Sequence, residues 1–253
     1  MFLISKYRCS HVPIHPASIF VNILLITIDY VHMNILHFKE WLYVHGGYRH
    51  TPKTKEELLD AIEIEIKKQG PHANLGYIDV SKVTDMSELF MNRESFDCDI
   101  SNWDTSKVKD MSRMFANTKN INVDLSSWNT SSAKHMDGMF ERSDFTGDLH
   151  SWNVSNVVSM RGMFMYSKFN SNISDWDTYN VKDMAMMFMC SDFNRDIHCW
   201  CISNVRDMTR MFYGAHSFVH DISNWNLSKV TNKDEMFDDS EYIRQQIKMP
   251  VEI

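Results

Sequence analysis

One phrase recurs down most of this 253-residue chain with little drift, and that periodicity constrains the fold more than any other property. Its first full copy, Asn102 to Phe115, reads Asn-Trp-Asp-Thr-Ser-Lys-Val-Lys-Asp-Met-Ser-Arg-Met-Phe. Tryptophan returns at 103, 128, 152, 176, 200 and 225, at intervals of 24 or 25 residues. The closing phenylalanine returns at 90, 115, 140, 164, 188, 212 and 237. A period in this range is the signature of a solenoid, whose units each contact mainly their neighbours.

Within one copy the apolar spacing changes character. Ile100, Trp103, Thr105 and Val108 follow apolar-x-x-apolar-x-apolar-x-x-apolar, the strand-bearing pattern of a leucine-rich repeat, and so do Ile173, Trp176, Thr178 and Val181. This predicts a short strand at Trp-x-Thr with both side chains inward, and successive strands stacked in parallel about 4.8 Å apart. Val108, Met111, Met114 and Phe115 then fall at i, i+3, i+6 and i+7, which predicts a short helical turn. Asp110, like Asp85, Asp183 and Asp207, precedes the first methionine and is typed to cap that turn by accepting backbone N–H bonds. Their recurrence at one place in the repeat favours capping over metal ligation or acid catalysis. A further apolar residue, Phe96, Ile121, Phe145, Phe169, Phe193 or Phe218, returns the chain to the core. Of 19 methionines, 16 lie between Met86 and Met236, mostly in fixed register, which marks them as core. The expected fold class is thus a repeat solenoid, α/β and leucine-rich-repeat-like, with one short parallel strand per coil and short helical turns.

Ordering one copy's backbone costs more than its few apolar side chains return, so the copies are expected to fold only as a set with closed ends. Thr54-Lys55-Glu56-Glu57 reads as a capping box, Leu58, Leu59, Ile62 and Ile66 make one apolar face, and Gly70-Pro71 stops the helix. That helix is expected to cover the first coil near Tyr77-Ile78. After Phe237 the repeat decays, and Glu241 to Met249 reads as a short closing helix. The domain reading is an N-terminal extension at 1–50, a capping helix and linker at 51–76, about seven repeats at 77–240 and a cap or tail at 241–253.

Residues 77–240 carry a net charge of −8 and the flanks +1. Acidic repeats without a basic stripe are poor phosphate binders, which argues against nucleic acid as a partner. The five cysteines, Cys9, Cys98, Cys190, Cys199 and Cys201, form no disulfide framework, and this favours a reducing intracellular setting over a cell or virion surface. The apolar run Ile19 to Val31 imitates part of a signal peptide, yet Asn22 and Asp29 interrupt it and it is short for a membrane span. A buried element, a signal or anchor, and a natural start at Met33 all stay open for this stretch, and no firm membrane association follows.

The phrase Trp-Asp-Thr-Ser-x-Val-x-Asp-Met-x-x-Met-Phe, with its Phe-Asn and Asp-Ile-Ser elements, resembles the short repeats of BspA-like surface proteins. Thr54 to Ile62 is similar to segments that often precede them, so the resemblance covers roughly residues 52–240. It implies a leucine-rich-repeat-like protein of a kind found in bacteria, protists and some large viruses, whose characterised members act in adhesion and binding to host proteins. No catalytic residue belongs to the repeat.

The candidate binding face is read from the residues flanking each tryptophan. Asp104, Asn129, Asn153, Asp177 and Asn226 form one row, interrupted by Cys201, and Ser106, Ser155 and Tyr179 belong to another. As a ladder these groups hydrogen-bond between coils; as a displayed surface they present like groups at a fixed pitch to a protein partner. Cys199 and Cys201 lack the spacing of a zinc site, and no metal or cofactor is expected. Gly-rich phosphate loops, Gly-x-Ser-x-Gly and His-Glu-x-x-His are absent. The expected function is a non-enzymatic repeat scaffold for protein–protein interaction, with a surface or virion structural or adhesin role as the alternative.

Overall fold

The chain divides into two compact units, Met1–Arg49 and His50–Ile253, and the computed structural model describes residues 50–241. The readings placed on the Ile19 to Val31 run, on Met33 and on a closing helix up to Met249 lie outside the described residues.

Helix α1 spans Lys55–Gln69. Thr54 caps it by accepting the Glu57 N–H at 3.3 Å, and the Glu57 carboxylate reaches back to the Lys53 N–H at 2.7 Å. The helix ends at Gly70, whose φ of 89° lets its N–H return to the Ile66 carbonyl at 2.8 Å. Leu58, Ala61 and Ile62 are buried in one core with Leu75, Ile78 and Phe90 of the first repeat. Lys55 donates to Ser87 Oγ at 2.9 Å and Arg93 to Glu63 at 2.5 Å, so the helix is also fixed along its polar edges. Leu59 and Ile66 of the expected apolar face are partly buried against the same core, and the fourth fully buried residue of α1 is Glu65. Gln69 Nε2 donates to its carboxylate at 2.7 Å and the Tyr77 hydroxyl also donates to it. Burial, and then the Glu65 carboxylate, push the Tyr77 phenol up.

The expected α/β, leucine-rich-repeat-like solenoid of short parallel strands is not what forms. Among the described residues α1 is the one helix and no strand is present; the repeats meet at isolated parallel bridges such as Asp85↔Asp110, Asp110↔His135 and Asp207↔Asn232. The reason is local. Asp99 accepts the Ser101 N–H and Asp104 the Ser106 N–H, each at 3.1 Å, and these Asx-turns accompany backbone bonds from Trp103 to Ile100 (3.2 Å) and from Val108 to Thr105 (2.9 Å). Trp103 and Thr105 are therefore pinched between two tight turns, with no room for a strand to run. They still point inward, and both are buried.

The helical turn is replaced as well. Met114 N–H bonds to the Met111 carbonyl at 3.2 Å, but Arg113 and Asn117 sit at φ 56° and 53°, and a left-handed residue at every fourth position breaks an α-helix. Successive turns keep a period near that of a helix, so Met111, Met114 and Phe115 all face the core. Alternate N–H groups instead point to the next repeat. Met111, Arg113, Phe115 and Asn117 donate to the carbonyls of His135, Asp137, Met139 and Glu141 at 3.0, 2.8, 2.9 and 2.6 Å. The same four donors recur in every repeat from Met86 to Met208.

Aromatic side chains complete the stack. Phe115 lies on Phe140 with ring centroids 5.6 Å apart and planes 5° from parallel, and Trp103 lies on Trp128 at 6.3 Å and 10°. Each buried indole N–H finds a carbonyl of the preceding repeat: Trp128 donates to Ile100, Trp152 to Leu125 and Trp176 to Leu149, at 2.9–3.1 Å. Trp225 is an exception, its buried Nε1 having no acceptor.

Candidate functional site

The turns that displace the strand also decide what the residues beside each tryptophan do. Asp104, Asn129, Asn153, Asp177 and Asn226 are exposed, as is Tyr179, while Ser106 and Ser155 are half-buried. One side-chain oxygen of each Asp or Asn is engaged within its own repeat, by the N–H of Ser106, Ser131, Ser155, Tyr179 or Ser228 at 2.9–3.1 Å. The bonds from Ser106 hold the Asp104 carboxyl below the usual carboxylate range. The ladder between repeats is built by the neighbouring residues. Ser151 Oγ donates to the Ser126 carbonyl at 2.7 Å, and Asn156, Asn180 and Asn204 donate to the carbonyls of Ser131, Ser155 and Tyr179 at 2.9, 2.7 and 2.8 Å.

In the four repeats where an aspartate precedes the first methionine position, it also accepts a backbone N–H bond, but at the start of a turn instead of a helix. Asp85, Asp110, Asp183 and Asp207 accept from Ser87, Ser112, Ala185 and Thr209 at 2.8–2.9 Å. Burial raises the Asp183 carboxyl above the usual range against the pull of the Ala185 N–H and of Arg161, 3.8 Å away. Among the described residues no group of three or more His, Cys, Asp and Glu side chains is placed to hold a metal ion, and Cys98, Cys190, Cys199 and Cys201 are all free thiols.

A second surface stands out because the repeats stop resembling one another there. Along the left-handed turn, the position held by Met91, Ala116 and Glu141 in the first three repeats is taken by Met165, Met189 and Tyr213 in the next three, and that held by Asn92, Asn117 and Arg142 by Tyr166 and Cys190. The ladder bonds from Tyr166 to Met189 and from Cys190 to Tyr213, both 2.8 Å, make these residues neighbours. Tyr166 is 40% exposed, and Met165, Met186, Met189, Cys190 and Tyr213 are half-buried. Arg142 lies over the Tyr166 ring at 4.4 Å and Arg210 over Tyr213 at 5.8 Å. The result is a half-exposed patch of thioether and phenol edged by guanidinium groups. The repeat phrase hides it, since these residues sit at variable positions that a periodic reading passes over. The sequence signal was that Met165, Met186 and Met189 are extra to the methionine register, as Met91 is in the first repeat.

A family model described as "Mycoplasma protein of unknown function, DUF285" matches residues 65–167 and, a second time, 141–249. The chain belongs to this family. The two DUF285 matches overlap within the repeated phrase and together take in the end of α1 and every repeat described above. No curated protein and no solved structure matches the chain.

Proposed function

We propose that the protein is a non-enzymatic repeat scaffold that binds another protein through the Met165, Tyr166, Met186, Met189 and Tyr213 patch. The observation that carries this reading is the chemistry of a surface where the repeats diverge over three successive copies. Tyrosine, methionine and arginine are the residues enriched at the centres of protein interfaces, and thioethers adapt to the shape of a partner. The acidic balance of residues 77–240 disfavours nucleic acid as that partner. Among the described residues no helix is long and apolar enough to cross a membrane. Affinity purification with the native protein tests the assignment when repeated with Tyr166→Lys and Met189→Lys together, and separately with Asp104, Asn153 and Asp177 changed to Lys. Loss of the partner in the first variant alone supports the patch. Loss in the second alone moves the binding face to the row beside the tryptophans.

The resemblance of the Trp-Asp-Thr-Ser phrase to BspA-like repeats supports a second reading, a surface or virion element acting in adhesion. Fractionation of the source cells or particles separates the two: protein found on an outer surface favours adhesion, and protein confined to the cell interior favours the scaffold.

A further inference from the structure

One repeat carries a side-chain constellation that its neighbours lack. At the turn before each tryptophan the sequence is usually Asp/Asn-x-Ser-x-Trp, but Asp196-Ile197-His198-Cys199-Trp200 brings in an imidazole and a thiol together. Asp196 Oδ1 accepts the His198 backbone N–H at 3.0 Å, the Asx-turn found in every repeat, and lies 2.8 Å from His198 Nδ1. The other ring nitrogen, Nε2, lies 3.0 Å from Cys199 Sγ. Asp196 is held below the usual carboxylate range first by the His198 backbone N–H and then, against some burial, by the imidazole, so it is an anion at neutral pH. An anionic acceptor at Nδ1 fixes the proton there, which leaves Nε2 as the acceptor facing the thiol. This is the order of nucleophile, base and orienting carboxylate that nucleophilic chemistry requires.

Two comparisons inside the molecule show that the arrangement is particular to this repeat. Asp148 and His150 make the same pair, with Nδ1 2.7 Å from the carboxylate, but the next residue is Ser151, whose hydroxyl is turned to the Ser126 carbonyl at 2.7 Å. Cys201, two residues beyond Cys199 and also exposed, faces Ser203 Oγ at 3.2 Å and has no imidazole. Beside the constellation an open cavity of about 360 Å³ is lined by Asp196, His198, His220, Asp221, Ser223 and Asn224. It is polar, it reaches the base, and it is large enough for a small polar molecule.

We propose that Cys199 is a covalent attachment site for low-molecular-weight disulfides, with His198 as its base and Asp196 as a positioning residue. His198 Nε2 takes the thiol proton as Cys199 Sγ attacks one sulfur of the incoming disulfide. The new S–S bond forms as the old one breaks, and the leaving thiolate takes the proton back from His198. One disulfide and one protein thiol give one mixed disulfide and one free thiol, with no other oxidant.

The test uses the full chain, oxidised glutathione as the probe, and tandem mass spectrometry to locate the adduct. Cys199 gains the mixed disulfide at least about tenfold faster than Cys201, a margin set below the roughly hundredfold at the lower end of general-base assistance. His198→Ser restores the residue found at Ser101, Ser126, Ser174 and Ser223, so the fold is retained, and the Cys199 rate falls to that of Cys201. Asp196→Asn keeps the Asx-turn, as Asn172 does for Ser174 at 3.1 Å, and gives an intermediate Cys199 rate with an altered pH profile while Cys201 is unmoved. Equal rates at Cys199 and Cys201 in the native protein, or an unchanged Cys199 rate in His198→Ser, overturns the proposal. An unchanged rate and pH profile in Asp196→Asn removes Asp196 from it.

Discussion

Each tryptophan has two roles that substitution separates. Trp176 stacks on Trp200 at 6.3 Å and donates its indole N–H to the Leu149 carbonyl. Trp176→Phe keeps an aromatic ring and removes the indole bond, while the Leu149 carbonyl retains the Trp152 N–H at 3.1 Å, so the lost hydrogen bond costs about 0.5–1.5 kcal/mol in chemical denaturation. The left-handed turn positions point the other way. Arg113 is exposed and held at φ 56° where Gly138 and Gly162 stand in the next two repeats, so Arg113→Gly relieves strain and raises stability by up to about 1 kcal/mol. Asp183 gives a pH-dependent case. Its folded carboxyl is raised chiefly by burial, so the folded state binds the proton more tightly than the unfolded state does. Stability is then lost as pH rises from the unfolded value through the folded one. Asp183→Asn retains an acceptor for Ala185 and is therefore stabilising at pH 7, with the gain vanishing near pH 3, as thermal melts at the two pH values check.

The sequence is most legible at this scale. The inward direction of Trp103, Thr105, Met111, Met114 and Phe115 follows from spacing alone, because any regular repeat that stacks must put its invariant apolar residues between copies. What spacing does not distinguish is a strand from a residue pair held between turns. The deciding signal was Asp-x-Ser at 99–101 and again at 104–106, where a side chain competes for the backbone N–H that a strand would have paired.

At the scale of elements, α1 was readable because its signals are local: a Thr54 cap, Glu57 three residues on, and Gly70 at the end. Thr54→Ala is expected to cost about 1 kcal/mol. Ile62→Ala, which opens a cavity in the contact with the first repeat, costs about 2–5 kcal/mol, and urea titration distinguishes the two. The supposed helical turn after each Val-x-Asp was misread because turns closing every three or four residues place apolar side chains as a helix would. Gly138, Gly162, Gly214, Asn92 and Asn117, all at positive φ, were the available warning. The Met165, Tyr166, Met189 and Tyr213 patch stayed hidden for a related reason. A row across repeats becomes a surface only once the register of the left-handed turn is known, and the Cys199, His198 and Asp196 constellation likewise depends on how a single turn aims its side chains.

At the scale of the whole molecule, each repeat bonds to the next through the same four N–H donors and the same stacked rings, so the repeats are interchangeable in length but not divisible. Deleting residues 152–175 removes one whole period and brings Trp176 into the place of Trp152; the shortened chain is expected to unfold cooperatively with a lower midpoint. Deleting half a period sets Trp and Phe rows out of register, and near-ultraviolet circular dichroism should then show no fixed aromatic environment.

The central claim is that likeness among repeats makes the fold while the departures make the function. It is tested most directly by giving the patch the residues of the second repeat, Ala116 and Asn117, with Met165→Ala, Met189→Ala, Tyr213→Ala and Tyr166→Asn together. Calorimetric melting and titration against the partner recovered by the native protein are measured side by side. The account predicts a folded variant with a single cooperative transition whose affinity falls by at least about thirtyfold, as expected when central interface residues are removed. Unchanged affinity in that folded variant would contradict it.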